Sequence, residues 1–236
     1  VQKKLKAFVL GAGLGTRLKP LTDSVPKPLL PVGGRPLIER VFDSLLAAGV
    51  GEFIVNTHHM SAKYFERYPD SSYRGAKITF EQEKELLDTG GGVKNILKYL
   101  DFEEPLIVYN GDIYFDAPLS KFISPALKDA DAATLCLRDS GTNMNIAVFE
   151  DRVVDLRFKR GAPFARLAQF AGIFMAHRLF LEACAAYEGD VFSTVDVFLK
   201  LLEEDPKCLG ARFLNDGVWS DIGTHVEYDK LNESLA

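Results

Sequence analysis

Between Leu5 and Asp112 the chain alternates short apolar runs with stretches of helical periodicity, and few folds accept that alternation. Leu5-Lys6-Ala7-Phe8-Val9-Leu10 reads as a buried strand bounded by Gly11. Over 36–48, Leu37, Ile38, Val41, Phe42, Leu45, Leu46 and Ala48 recur at helical spacing, and Gly49 closes the helix. Phe53-Ile54-Val55 predicts a short strand ending at Asn56, 61–68 a helix, and Lys77-Ile78-Thr79-Phe80 a strand. Thr89 is the expected cap of a helix over 92–100, with Val93, Ile96, Leu97 and Leu100 on one face. Pro105-Leu106-Ile107-Val108-Tyr109 is another buried strand, running into Asn110-Gly111-Asp112. Strands separated by helices indicate βαβ units and a parallel sheet.

The second half reads differently. Residues 132–138, 145–149, 152–158 and 166–176 predict strands at short spacing, hence an antiparallel excursion. Helices are expected at 178–187 and 194–204, a strand at 211–214, a turn at Asn215-Asp216-Gly217 and a last helix from Thr224. No linker or internal repeat divides the 236 residues. The expectation is therefore one α/β domain over 1–236 with a mixed, mostly parallel sheet. No hexapeptide β-helix repeat is present, so no acetyltransferase or trimerisation module is expected.

Charge narrows the partners. Lys and Arg total 28 against 33 Asp and Glu, a net charge of −5. No basic excess points to nucleic acid, and a phosphate would have to be met by local cations. Cys136, Cys184 and Cys208 are far apart, form no CxxC, and read as buried apolar residues in a reducing compartment. No apolar run reaches the ~20 residues of a membrane span. The lysines before Leu5 imitate a signal peptide, but the apolar part runs into Arg17 and Lys19 and reads as a first strand. A cytoplasmic protein without membrane partners follows as the expectation.

The stretch from Gly11 to Val32, GAGLGTRLKPLTDSVPKPLLPV, follows the first strand directly. Glycines there permit close approach of backbone N–H groups to a phosphate. The dinucleotide fingerprint G-x-G-x-x-G fails, because its third glycine falls on Thr16 or Leu18. The Walker pattern fails at Thr16 and Arg17. Pro20, Pro26, Pro28 and Pro31 forbid a regular helix. The loop is therefore long and proline-stiffened, and is expected to carry Arg17 and Lys27 on an extended frame.

That pattern resembles the signature of sugar-1-phosphate nucleotidyltransferases: G-x-G-x-R-L-x-P-x-T, then P-K-P, then P-V. It stands here as Gly13-Leu14-Gly15-Thr16-Arg17-Leu18-Lys19-Pro20-Leu21-Thr22, Pro26-Lys27-Pro28 and Pro31-Val32. Asp88-Thr89-Gly90-Gly91-Gly92, Asn110-Gly111-Asp112 and Trp219-Ser220-Asp221-Ile222-Gly223-Thr224 fit later elements of the same family in order. The short forms look closest, either the N-acetylmuramate-1-phosphate uridylyltransferase type or the catalytic half of mannose-1-phosphate guanylyltransferases. Leu86 departs from the common E-P-L-x-T.

The resemblance implies a Rossmann-like three-layer sandwich of the nucleotide-diphospho-sugar transferase type, with 1–112 the nucleotide-binding half and 113–236 the sugar-phosphate-binding half. It implies an enzyme that takes an NTP and a sugar 1-phosphate to an NDP-sugar and pyrophosphate with Mg²⁺, supplying cell-wall or polysaccharide precursors. On that reading Gly11, Ala12, Gly13, Gly15 and Thr16 wrap the triphosphate, with Asn110 and Gly111 beside them. Arg17 offers a planar fork to the leaving phosphates and Lys27 a point charge to the α-phosphate. Asp112 and Asp221 hold the metal. Thr89 and Gly90 would leave room for a nucleobase, whose edges Glu85 or Gln82 would read, and Asn145 and Gly172 lie on the sugar side. The E-K-P lysine that many long members use for the sugar phosphate is missing; Lys159, Arg160 and Arg166 lie in its region, with no choice among them. His58, His59, His177 and His225 read as ordinary loop or surface residues. Two other functions remain open: a cytidylyltransferase acting on a non-sugar phosphate such as phosphocholine, and a catalytically silent NDP-sugar-binding regulator. Uridine and guanosine are the expected bases, and a monomer or homodimer the expected state.

Overall fold

The computed structural model describes residues 4–236. In chain order, β1 (Leu5–Leu10) leads through three 3-10 turns to a hairpin of β2 (Pro31–Val32) and β3 (Arg35–Pro36), then α1 (Leu37–Ala47). Next come β4 (Val50–Thr57), α2 (Ser61–Arg67), β5 (Ser72–Tyr73), β6 (Ala76–Gln82), α3 (Asp88–Ile96), β7 (Leu106–Asn110) and β8 (Ile113–Phe115). The remainder holds α4 (Ser120–Ala126), β9 (Ala133–Arg138), β10 (Met144–Phe149), β11 (Arg152–Leu156), β12 (Arg166–Ala176), α5 (Arg178–Ala185), α6 (Thr194–Glu204), β13 (Leu209–Phe213), β14 (Trp219–Asp221) and α7 (His225–Ser234). The fold is α/β with a mixed sheet, as the alternation predicts. Its contacts divide it into two compact units, one of residues up to Leu86 with Tyr109–Leu119 and Gly217–Ala236, the other of Leu87–Val108 and Ser120–Asp216.

In the first unit β1 pairs parallel with β4, Val9 opposite Val55 and Leu10 opposite Asn56. β4 pairs parallel with β6, Asn56 opposite Glu81 and Thr57 opposite Gln82. Parallel register brings the C-terminal ends of these strands to one edge, where ligands bind in open α/β sheets. The apolar stripe of α1 buries Leu37, Ile38, Val41, Phe42 and Leu45, and Phe42 stacks on Phe53 of β4 with centroids 4.3 Å apart. The last elements return here. β14 pairs antiparallel with β8, Asp221 opposite Ile113, and Ile222 N–H donates to Asp112 O at 3.2 Å. Val32, Leu37, Tyr114, Ile222 and Leu231 form a buried cluster that fixes this ribbon and α7. Each large aliphatic side chain buried in it contributes on the order of 1.5–3 kcal/mol.

In the second unit β12 is long enough to serve two partners. Its first part pairs antiparallel with β10 and its last part antiparallel with β9, and the register shifts between Phe170 and Phe174. β9 continues parallel to β13, β13 antiparallel to β11, and β11 antiparallel to β10. The five strands thus pair in a closed ring. Phe174 of β12 meets Phe180 of α5 and Phe198 of α6 edge-on, each at 5.1 Å. α6 begins on a capping box: Ser193 Oγ accepts Val195 N–H at 3.1 Å and Asp196 Oδ2 accepts Ser193 N–H at 2.9 Å. The three cysteines are buried and unpaired, and burial pushes the thiols of Cys136 and Cys184 up to about 12.

Two local expectations need correction. The loop after β1 is not extended around its cations; Thr16–Leu18, Leu21–Asp23 and Lys27–Leu29 are 3-10 turns. Proline blocks a long helix yet suits the first positions of such turns. Thr89 does not cap a helix beginning at 92 but lies in the first turn of α3, which takes in all three glycines.

Candidate active site

The glycine loop leaves β1 under tight control. Gly11 N–H donates to Asn56 Oδ1 at 2.7 Å, and Tyr64 Oη donates to Gly11 O at 3.2 Å, both buried. A Cβ at Gly11 would lie 2.8 Å from Asn56 O and 3.1 Å from Val55 Cγ1. The amide of Gly11 is therefore spent inside the protein, which corrects the expectation that it faces the triphosphate. Gly15 is likewise enclosed: its φ is +62°, and a Cβ would lie 2.8 Å from Thr22 Cγ2. Thr22, buried, donates to Gly15 O at 2.8 Å and ties the loop to itself. Gly13 differs, because a Cβ there meets nothing within 4 Å. Among the described residues no hydrogen bond engages the amides of Ala12, Gly13 or Leu14. These are the amides free for a phosphate, with exposed Thr16 and Arg17 beyond them.

The chain gathers four charges beside this loop. Lys27 Nζ donates to Asp112 Oδ2 at 2.7 Å and lies 3.9 Å from Asp221 Oδ1, with the lysine side chain only 8% exposed. Burying an ammonium requires such a partner. Gly223 leaves room for Arg17: a Cβ there would lie 3.0 Å from the guanidinium and 3.2 Å from Asp221 Oδ1. Asp221 Oδ1 is buried and accepts no hydrogen bond among the described residues. Burial first, and then the neighbouring Asp112, hold the Asp221 carboxyl above its ordinary value, against the pull of Lys27. Two adjacent carboxylates, one with an unsatisfied oxygen, form an oxygen donor set that fits Mg²⁺, which takes one or two carboxylates and completes its shell with phosphate and water. Among the described residues no group of three or more His, Cys, Asp and Glu forms a closed metal cage.

Comparison with known proteins decides the lineage. The sequence profile described as nucleotidyl transferase matches residues 6–155. The chain belongs to the nucleotidyl transferase family. The chain is 30% identical over 98% of its length to the mannose-1-phosphate guanylyltransferase of Mycobacterium tuberculosis, covering 65% of that protein. It is 28% identical to the D-glycero-α-D-manno-heptose 1-phosphate guanylyltransferase of Aneurinibacillus thermoaerophilus, covering 98% of each chain. It spans about half of other matched relatives, 51% and 52% of their lengths. The structure of HddC from Yersinia pseudotuberculosis complexed with GMP-PN superposes with a TM-score of 0.77 at 24% identity, over 98% of this chain and 100% of that one, and shows the shared fold. No helix of the described residues is long and apolar enough to cross a membrane.

The other candidate residues sort by what surrounds them. Asn110 ends β7 half-buried, and Gly111 N–H donates to Leu10 O at 3.0 Å. A Cβ at Gly111 would run into that same oxygen, so the glycine is required where the end of β1 passes it. Glu85 and Gln82 are exposed, but Glu83 between them is buried and accepts Asn56 Nδ2–H at 2.7 Å. Residue spacing in Glu81-Gln82-Glu83-Lys84-Glu85 did not distinguish the buried carboxylate; the inward alternation of β6, set by Ala76 and Ile78, would turn Glu83 outward, so no local signal marked it.

In the second unit the space expected for a base beside Gly90 is filled by the chain itself. A Cβ at Gly90 would strike the Phe192 ring, and one at Gly91 would strike Asp190 O. Both amides donate to Phe192 O, at 2.9 and 3.0 Å, and Thr89 Oγ1 accepts Thr194 N–H at 2.9 Å. Asn145 Nδ2 donates to Asn143 Oδ1 at 2.9 Å, and Gly172, φ +78°, sits at the bend of β12. Arg160 is tied to the carbonyls of Val154 and Leu202, and Arg166 covers the Phe213 ring at 3.6 Å. Lys159 is exposed, with its amide held by Asp155 Oδ1 at 3.0 Å. His177 is half-buried rather than a free surface group, and burial holds its pKa below the ordinary value.

Proposed function

We propose that this protein transfers a nucleotidyl group from an NTP to a sugar 1-phosphate, releasing pyrophosphate. The observation that carries this reading is the convergence of Arg17, Lys27, Asp112 and Asp221 beside three unengaged loop amides. A sugar-phosphate oxygen attacks the α-phosphorus and forms a P–O bond as the bridging α–β P–O bond breaks. The leaving pyrophosphate takes the electron pair, and no bond to the enzyme forms. The protein's task is positioning and charge neutralisation.

The amides of Ala12, Gly13 and Leu14 bind the phosphates, and Arg17 orients the β- and γ-groups. Lys27, stiffened by Pro26 and Pro28, stands against charge at the α-phosphate. Asp112 and Asp221 hold Mg²⁺, which when bound offsets negative charge on the phosphate oxygens. Exposed Gln82 and Glu85 read the base edge. Guanosine is favoured by the two relatives named above, with a mannose- or heptose-type sugar, while uridine with N-acetylmuramate 1-phosphate is the other expected pair. The whole chain acts as one nucleotidyltransferase domain in the cytoplasm.

The test is pyrophosphate release from GTP, UTP, CTP, dTTP and ATP against mannose, heptose, N-acetylmuramate, glucose and N-acetylglucosamine 1-phosphates and phosphocholine, with Mg²⁺ or EDTA. Turnover in one sugar row, abolished by EDTA, supports the proposal. Turnover only with CTP and phosphocholine makes the protein a cytidylyltransferase. Nucleotide binding with no turnover in any row makes it a regulator.

A further inference from the structure

The hydrogen bonds that restrain Gly11 extend past the loop. Asn56, at the end of β4 and 2% exposed, accepts Gly11 N–H through Oδ1 and donates through Nδ2 to Glu83 Oε1, each at 2.7 Å. Only this amide orientation satisfies both neighbours, since the reverse would set an NH₂ against an N–H and an oxygen against a carboxylate. Glu83 is a carboxylate only 3% exposed. A polar group is retained in such a place only when its hydrogen bonds are made. Its backbone is fixed to the same strand end: Glu83 N–H donates to Thr57 O at 2.7 Å, and Glu83 O accepts from His58 Nδ1 at 2.9 Å. On either side of Glu83 stand Gln82 and Glu85, both exposed.

We propose that Asn56 and Glu83 are positioning residues that fix the glycine loop relative to the end of β6, so that the phosphates and the base of one nucleotide are gripped in register. The proposal rests on the nucleotidyl-transfer reading above. A nucleotide held at two places gains affinity over its fragments only when those places keep a fixed separation. Cutting the Gly11–Asn56–Glu83 chain leaves each grip able to take its own fragment and removes the gain from taking both. Glutamine at position 83 keeps an acceptor for Asn56 and preserves the link; alanine removes it.

Titration calorimetry tests this with Mg²⁺–pyrophosphate, GMP, UMP, GTP and UTP on the wild type, Asn56→Ala, Glu83→Ala and Glu83→Gln. Asn56→Ala and Glu83→Ala are expected to weaken the bound triphosphate by about tenfold or more, about 1.4 kcal/mol, and the fragments by less than about twofold. KM for the NTP should rise with kcat nearly unchanged, and Glu83→Gln should restore wild-type values to within about threefold. Fragments weakened as much as the triphosphate, or a Glu83→Gln no better than Glu83→Ala, would overturn the proposal. So would an Asn56→Ala protein that binds GTP and UTP like the wild type. Should Asn56→Ala fail to fold, the two Glu83 variants decide the matter alone. A wild type that binds none of GTP, UTP, CTP, dTTP and ATP refutes the nucleotidyl-transfer reading itself, and the proposal with it.

Discussion

Alanine at Gly11 and alanine at Gly13 are chemically the same change two residues apart, and they should fail in opposite ways. At Gly11 the new methyl lies 2.8 Å from Asn56 O, a backbone atom that cannot rotate aside. Overpacking of that kind costs about 1–3 kcal/mol. Displacing the loop also lengthens the 2.7 Å bond to Asn56, worth about 1 kcal/mol. Reduced freedom of the unfolded chain returns about 0.4–1 kcal/mol. The net loss is about 1–3 kcal/mol, which for a domain of this size lowers Tm by about 3–10 °C. At Gly13 nothing lies within 4 Å, so stability should stay within about 0.5 kcal/mol of wild type. The methyl instead occupies the path of an approaching phosphate, and kcat/KM should fall at least about tenfold. Thermal denaturation and steady-state pyrophosphate release on both variants make the comparison. A Gly11→Ala protein with unchanged Tm, or a Gly13→Ala protein with wild-type kcat/KM, would refute the division of labour within the loop.

Asp112→Asn should remove turnover while circular dichroism and much of the nucleotide affinity persist; full activity at saturating Mg²⁺ would withdraw the metal assignment. Gly90→Ala should destabilise by about 1–3 kcal/mol through its clash with the Phe192 ring, and adding Phe192→Ala should restore part of that loss in urea denaturation; no recovery in the double variant would contradict the packing. Burial raises the Asp129 carboxyl pKa, but hydrogen bonds from Arg212 and Thr134 outweigh it and hold the pKa below its ordinary 3.8. A carboxyl depressed in the folded state stabilises fully above its unfolded pKa, and that stabilisation is lost as pH falls through the folded one. Asp129→Asn should therefore cost about 1–3 kcal/mol at pH 7, with the gap to wild type closing as pH falls below 3.8; a gap independent of pH would reject the assignment.

Periodicity and length made much of this legible in the sequence. β1 and α6 fall on the expected residues, and α1 within one, because each carries a full apolar pattern and a clear boundary residue. The elements that went unread are the shortest. β2, β3, β5 and β8 have two or three residues each, too few for a period, and α4 contains Pro125, which argues against a helix. β8 matters most, because its pairing with β14 is what carries Asp221 to Asp112. Motif reading placed both aspartates in one site without any physical account of how they meet. The glycines were legible as necessary but not as to purpose. Gly11, Gly15, Gly90 and Gly111 make room for the protein's own atoms, and only coordinates separate them from Gly13. Glu83 was passed over for Glu85 because burial at a strand end is set by the neighbouring strand and not by the local sequence.

The two carboxylates stand 109 positions apart in the chain, Asp112 and Asp221, and the ribbon that joins them is made from both ends of that interval. A ribosome therefore delivers Arg17, Lys27 and Asp112 long before the partner that completes their charge balance. Until Trp219–Asp221 emerges, the growing chain displays a phosphate loop with half of its acidic pair, and Val32 and Leu37 still await Ile222 and Leu231. Emergence of that segment thus acts as the assembly step of the site, and a polypeptide interrupted before it carries the loop without the means to use it.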